Sequence, residues 1–250
     1  MNSKRVIDHI VNWIGDYASS ESSKIESLIV GVSGGIDSAL TSTLCAMTNI
    51  KTILVKIPLY SKDISLSNDH CVDLQMKHNN IKIYEIDLTR TFDEFKLVCE
   101  KNSHNNELGF ANTKSRMRMM LLYQIAQSES GIVVGTGNKV EDFGVGFFTK
   151  YGDGGVDISP IADLTKSEVK ILAKELKIID SIILAKPTDG LWEDNRTDED
   201  QLGLTYDQLE DAMINLNSPH RAQYLKIREN NLHKMLPIPV CQVNDEIKNN

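Results

Sequence analysis

The chain has 250 residues, 41% hydrophobic and 25% charged, with a formal net charge of -8 at pH 7. That length suffices for one large α/β domain with a buried core, and the acidic balance argues against a broad nucleic-acid surface while leaving room for a local basic pocket. The four cysteines (Cys45, Cys71, Cys99 and Cys241) are scattered and form no C-x-x-C pair, so buried free thiols in a reducing cytosol are expected rather than metal or redox use.

In chain order, the first predicted element is an amphipathic helix over about residues 4–18. Asp8, His9 and Asn12 interrupt it, so it is neither a signal peptide nor a membrane span. A polar Ser/Glu connection leads to a strand at 28–32, a helix at 38–48 and a second strand at 52–57 that ends at Pro58. Residues 61–69 read as a polar loop, followed by a helix to about 78. A third strand is expected at 81–86, a short helix at 91–100, and a loop at 102–107. A long helix follows at roughly 112–129, with Met117, Leu121 and Ile125 on its apolar stripe, and then a fourth strand at 131–135. A last strong helix spans about 165–177. Strands alternating with helices imply parallel pairing through right-handed crossovers. The expected fold is a doubly wound parallel sheet flanked by helices, a single α/β domain over 1–250, soluble and cytoplasmic. Ligands in such sheets bind at the carboxyl ends of strands, so the loops beginning at Gly31, Pro58, Asp87 and Thr136 should converge on one crevice.

The most informative segment is Gly31, Val32, Ser33, Gly34, Gly35, Ile36, Asp37 and Ser38, lying between the first strand and its helix. Free backbone N–H groups at a helix start bind anions, phosphate above all. Gly34 and Gly35 permit close backbone approach, Ser33 and Ser38 add hydroxyls, and Asp37 offers a carboxylate to a phosphate-bound Mg²⁺. The segment lacks the Gly-Lys-Ser/Thr ending of a Walker A loop. The competing reading is a plain strand-to-helix turn with Asp37 as a helix-start acid.

A second block opens at the fourth strand with Gly135-Thr-Gly-Asn-Lys-Val-Glu141 and continues through Phe148-Thr-Lys-Tyr-Gly-Asp-Gly-Gly155 to Asp157. Glu141 is placed to be a second metal carboxylate beside Asp37, or else a solvated acid at a helix start. Lys150, Asp153 and Asp157 lie among glycines, as a backbone wrapped round a polar ligand requires; a surface hairpin turn is the alternative. Lys166 falls in a helix's first turn, where a cation opposes the dipole unless an anion is bound there.

These blocks resemble the N-type ATP pyrophosphatases, and within them the ammonia-dependent NAD synthetases. The resemblance rests on the Gly31–Ser38 loop, on Asn112-Thr-Lys-Ser-Arg-Met-Arg118, on the Gly-Thr-x-Asn-x-x-Glu stretch and on Phe148–Gly155. It also rests on Lys186-Pro-Thr188 with Thr197-Asp-Glu-Asp200, and on Leu232-His-Lys234. It implies a Rossmann-like, adenine nucleotide alpha hydrolase-like fold and ATP-dependent amidation of deamido-NAD by free ammonia, with no glutaminase domain. The implied ATP contacts are Gly31 through Ser38, Thr136, Lys166 and Thr188. Asp37 and Glu141 would bind Mg²⁺. Arg116, Lys150, Asp157, His233 and Lys234 would contact deamido-NAD, and Asp153 would receive ammonium. A homodimer is implied as well, with no nucleic-acid or membrane partner. A tRNA-thiolating relative is the alternative, but it needs paired cysteines and positive charge that this chain lacks.

Other candidates read as ordinary structure. His9, His70, His78 and His104 have no Cys or His partner at ligand spacing, so solvated or capping roles are expected. His220 should face solvent, Trp13 and Trp192 should pack, and the acidic run from Asp198 to Asp200 should be a solvated face. Residues 59–67 and 185–204 are long and polar and are expected to order when substrates bind.

Overall fold

A computed structural model describes residues 1–20, 25–60, 64–188, 190–192, 194, 196–244 and 247–248. The chain begins with α1 (Ser3–Ala18), β1 (Ser27–Gly31), α2 (Ile36–Met47) and β2 (Lys51–Lys56). It continues through α3 (Ser65–Lys77), β3 (Ile81–Glu85), α4 (Thr89–Lys101), α5 (Glu107–Ser128) and β4 (Gly131–Val133). A π-helix, Lys139–Val145, then precedes α6 (Lys166–Glu175), α7 (Asp180–Ile183), α8 (Asp198–Leu202), α9 (Tyr206–Ile214) and α10 (Arg221–Met235).

The sheet order is β3-β2-β1-β4 with every pairing parallel, the doubly wound arrangement expected. β1 is central and has both faces covered. Leu28 and Val30 point into a core shared with α1, α2 and α6, whereas Ile29 points the other way, to Ile53, Val133 and Leu122 of α5. Because successive strand residues face opposite sides, this run has no polar alternation and reads as continuous apolar sequence. Each such side chain, fully buried, contributes roughly 1.5–3 kcal/mol. A smaller core joins the π-helix to α8, α9 and α10 through Val140, Val145, Leu209 and Tyr224.

Several boundaries differ from expectation. α3 starts at Ser65, inside the predicted 61–69 loop; residues 61–63 lie outside the described residues. α5 starts at Glu107 because Asn106 caps it, its side chain accepting from Gly109 N at 2.8 Å. β4 is short, but its line is prolonged by a parallel bridge between Val134 and Ile158. Only Cys45 and Cys71 are buried; Cys99 is partly exposed and Cys241 exposed. His70 is not solvated: it is 1% exposed, and its Nε2 lies 2.7 Å from Ser42 Oγ. Trp13 does not pack inward; it is 41% exposed beside Tyr17.

Candidate active site at the carboxyl end of the sheet

The chain leaves β1 at Gly31, and Val32 still donates to Val55 O at 2.9 Å before the backbone turns. Gly34 turns it with φ +90, a conformation glycine adopts without strain. A Cβ there would also stand 3.2 Å from Leu66 Cβ and Ser67 N at the start of α3. The two serines brace the turn. Ser38 Oγ donates to Gly35 O at 2.9 Å and lies 3.1 Å from Ser33 Oγ, and Gly35 N donates to Ser33 Oγ at 3.2 Å. No side chain caps α2 at Gly35, so its first-turn N–H groups are left to a ligand.

Asp37, the second residue of α2, meets Glu141 from the π-helix across the side chain of Lys166. Lys166 Nζ donates to Asp37 Oδ2 at 2.6 Å and to Glu141 Oε1 at 2.9 Å. A capping box at Thr165 fixes the first turn of α6 and thereby the backbone of Lys166. Asn138 caps the π-helix, accepting from Val140 N at 3.0 Å and Glu141 N at 3.1 Å, while its Nδ2 donates to Asp37 Oδ1 at 3.5 Å. Tyr206 Oη donates to Glu141 Oε1 and lies 3.2 Å from Asp198 Oδ2, and its ring lies 4.7 Å from Lys166 Nζ. Asp198 is therefore buried, 6% exposed, and not the solvated acid expected.

The electrostatics follow from this packing. Burial pushes Asp37 up, Lys166 pulls it down and Glu141 raises it, with burial and repulsion prevailing. Burial also pushes Glu141 up, but Lys166, Tyr206 and Asn138 together hold it below the usual carboxylate range. Burial opposes the charge on Lys166, yet the two carboxylates outweigh it and keep the ammonium firmly protonated. Among the described residues, no group of three or more His, Cys, Asp or Glu side chains is arranged to hold a metal. Two carboxylates converging on one cation position are a donor set suited to Mg²⁺, which commonly takes one or two carboxylates and fills its shell with water and phosphate.

A second cluster lies along the turn at 148–153. Arg116 Nε donates to Lys150 O at 3.2 Å, Lys150 Nζ to His233 O at 3.2 Å, and Lys234 Nζ to Phe148 O at 2.7 Å. The sequence-predicted Arg116, Lys150, His233 and Lys234 are thus brought together from α5, the glycine-rich turn and α10. Asp153 joins them from beneath. Its Oδ1 accepts from Ser115 Oγ at 2.6 Å and Thr149 N at 3.1 Å, and burial of the carboxyl raises its affinity for a proton. Asp157 stands apart: Oδ2 accepts from Val133 N at 2.7 Å and Oδ1 from Tyr123 Oη at 3.2 Å, so its carboxylate lengthens the pairing of β4. Thr136 sits in the chain between β4 and the π-helix. Thr188 is exposed, its hydroxyl accepting from Gly190 N at 3.1 Å, and no hydrogen bond among the described residues ties it to the phosphate loop.

The NAD synthase family profile matches residues 6–246. The chain belongs to the NAD synthase family. It is 37% identical over 238 residues to the NH(3)-dependent NAD(+) synthetase of Mesoplasma florum, covering 94% of this chain and 93% of that protein. Among solved structures, NMN synthetase from Francisella tularensis has a TM-score of 0.86 at 29% identity, with 97% of this chain and 100% of the other covered. NH3-dependent NAD synthetase from Campylobacter jejuni has a TM-score of 0.77 at 22% identity, over 97% and 100%, a likeness of fold. In this family member, Asn138, Ser115 and Asp198 lie in motifs the sequence singled out without giving them a site role, and Tyr206 is a site neighbour that sequence reasoning missed. Asn138 carried a signal, an Asn three residues before Glu141 at a helix start; Tyr206, 65 residues beyond Glu141, carried none.

Proposed function

We propose that this member of the NAD synthase family amidates the pyridine carboxylate of deamido-NAD with ammonia, cleaving ATP to AMP and pyrophosphate. Direct attack of ammonia on a carboxylate would have to expel oxide. A carboxylate oxygen therefore attacks the α-phosphorus of ATP, the bond to pyrophosphate breaks, and an acyl-adenylate forms. Ammonia then attacks the acyl carbon, AMP leaves with the shared oxygen, and the nitrogen sheds one proton.

The observation that carries this reading is the Asp37–Lys166–Glu141 triangle beside the uncapped start of α2, in a chain of this family. Gly31 through Ser38 hold the phosphates with backbone N–H groups, Thr136 and Thr188 contact ATP, and Lys166 bears on phosphate charge. Asp37 and Glu141 hold Mg²⁺, which when bound offsets charge on the departing pyrophosphate. Arg116, Lys150, His233 and Lys234 face the anionic deamido-NAD, and Asp157 contacts it from its separate place beside β4. Asp153 binds ammonium and accepts its proton, a role supported by its raised proton affinity. The chain acts as a single synthetase domain using free ammonia in the cytoplasm; no helix among the described residues is long and apolar enough to cross a membrane. Exposed Phe95, Val98, Leu108, Met120 and Tyr123 on α4 and α5 support a homodimer.

A second reading takes a mononucleotide acceptor and gives NMN, favoured by the likeness to the Francisella tularensis enzyme. One assay decides between them. The protein is incubated with ATP, Mg²⁺, an ammonium salt and either deamido-NAD or nicotinic acid mononucleotide. NAD, AMP and pyrophosphate in equal amounts are expected, with the dinucleotide giving the higher kcat/KM. Preference for the mononucleotide would establish the second reading, and release of ADP would sink both.

A further inference from the structure

Lys166 occupies the position between two carboxylates where the proposed divalent cation belongs. Its Nζ is 2.6 Å from Asp37 Oδ2 and 2.9 Å from Glu141 Oε1, and its side chain is 4% exposed. Magnesium binds carboxylate oxygens at about 2.0–2.1 Å. An ammonium and a metal ion cannot both lie against the same two oxygens without clashing and repelling each other. Without a cation between them, Asp37 and Glu141 would be buried like charges, which is why the structure satisfies them internally.

We propose that Lys166 is an internal stand-in for the metal, withdrawn onto a phosphate of incoming ATP as the divalent cation takes its place. This rests on the reading of Asp37 and Glu141 as the metal pair. Three observations make the exchange feasible. The backbone of Lys166 is fixed by the capping box at Thr165, so only its four-carbon side chain has to move. Tyr206 holds Glu141, and Asn138 holds both Asp37 and the Glu141 backbone, so the pair keeps its geometry after the ammonium leaves. The uncapped start of α2 lies beside Asp37 and gathers anionic phosphate where the departing ammonium needs a partner. Metal and nucleotide then bind as a coupled pair, each raising the affinity of the other by one common factor. Metal alone binds weakly because it must expel the lysine with no phosphate to receive it.

The test is Mn²⁺ binding to nucleotide-free protein, followed by electron paramagnetic resonance. Wild type should bind weakly, and Lys166→Gln about tenfold or more tightly, within the ordinary range of coupling between sites. Lys166→Met is run in parallel, with near-ultraviolet circular dichroism on both, so that a folding defect in one leaves the comparison intact. Adding Asp37→Asn to Lys166→Gln should abolish the gain. Equal affinity in wild type and both lysine variants, or a gain that survives loss of Asp37, would overturn the proposal. Turnover separates this from the functional reading. A protein that makes NAD but shows no Mn²⁺ gain keeps the reading and loses the exchange; a gain without NAD formation keeps the exchange and loses the reading.

Discussion

Asp37 takes part in two arrangements at once, as the second residue of a helix whose start is uncapped and as one arm of a buried ion triangle. Replacing it with Ala should leave the sheet intact, since Lys166 keeps Glu141 as its partner. Turnover should fall by roughly 10²–10³, the scale of losing one electrostatic stabiliser of developing charge. Steady-state kinetics with circular dichroism checks this, and retained activity would remove Asp37 from the site. His70 makes a different kind of prediction. Burial lowers its pKa to about 4 from 6.5. The unfolded chain therefore binds a proton that the folded chain refuses between those values, so stability is lost as pH falls through that window. The difference amounts to about 3 kcal/mol. Urea unfolding at pH 7 and pH 4.5 should show His70→Gln to be less sensitive to acid than wild type; equal slopes would deny the role. Both residues show what a linear reading can reach. Asp37 sits inside a local motif whose chemistry is stated by its neighbours. His70 and Tyr206 are buried by contacts with Ser42 and Glu141 that lie far off in sequence, and no local pattern announces a polar residue's remote partner.

At the scale of elements, the strands were legible because β1, covered on both faces, reads as an apolar run, while the edge strand β3 alternates apolar and polar residues. Helix starts were less so: α3 begins inside a predicted loop because its first turn, Ser65-Leu-Ser-Asn68, is also at home in loops, and α5 begins at the end of another, where Gly109 in its first turn reads as a loop residue. The π-helix carrying Glu141 was read as an ordinary helix start, since seven residues with glycine near the end give no recognisable period. The segment after α7 is tied to α5 where Lys114 Nζ donates to Leu191 O at 2.9 Å while lying 5.4 Å from the Tyr60 ring. Lys114 thus joins both polar segments expected to order with substrate, those at 59–67 and 185–204; residues 61–63, 189, 193 and 195 lie outside the described residues. Loss of a charged hydrogen bond corresponds to about tenfold or more in a local opening equilibrium. Lys114→Met should therefore speed chymotryptic cleavage after Trp192 by about that factor. Bound ATP with Mg²⁺ should protect both segments in wild type, and unchanged cutting would count against ordering by substrate.

For the whole molecule, a net charge of -8 coexists with a cluster of cations around the 148–153 turn. Nucleotide anions are attracted locally by a protein that repels polyanions globally. α4 and α5 leave the apolar side chains Phe95, Val98, Leu108 and Met120 exposed. Sedimentation should give twice the chain mass, and Leu108→Asp should shift the protein toward monomer; a wild-type monomer at micromolar concentration would refute the dimer. Sequence resemblance alone implied the dimer and the deamido-NAD contacts, because the residues proposed to touch deamido-NAD come from three separate parts of the chain and only a family pattern links them in advance.

The bridge between Val134 and Ile158 has a consequence of another kind. The backbone leaves the sheet at Val134 and returns to the same spot, with Gly135 N donating to Ile158 O at 2.7 Å and Asp157 N to Val133 O at 3.0 Å. Everything between, Glu141, Lys150 and Asp153 included, hangs from the scaffold as one excursion with its two ends pinned together. The pinned ends keep the strand ladder independent of what the excursion carries, while Ser115 of α5, through Asp153, and α10, through Lys234 and Phe148, tie its middle to the rest of the domain.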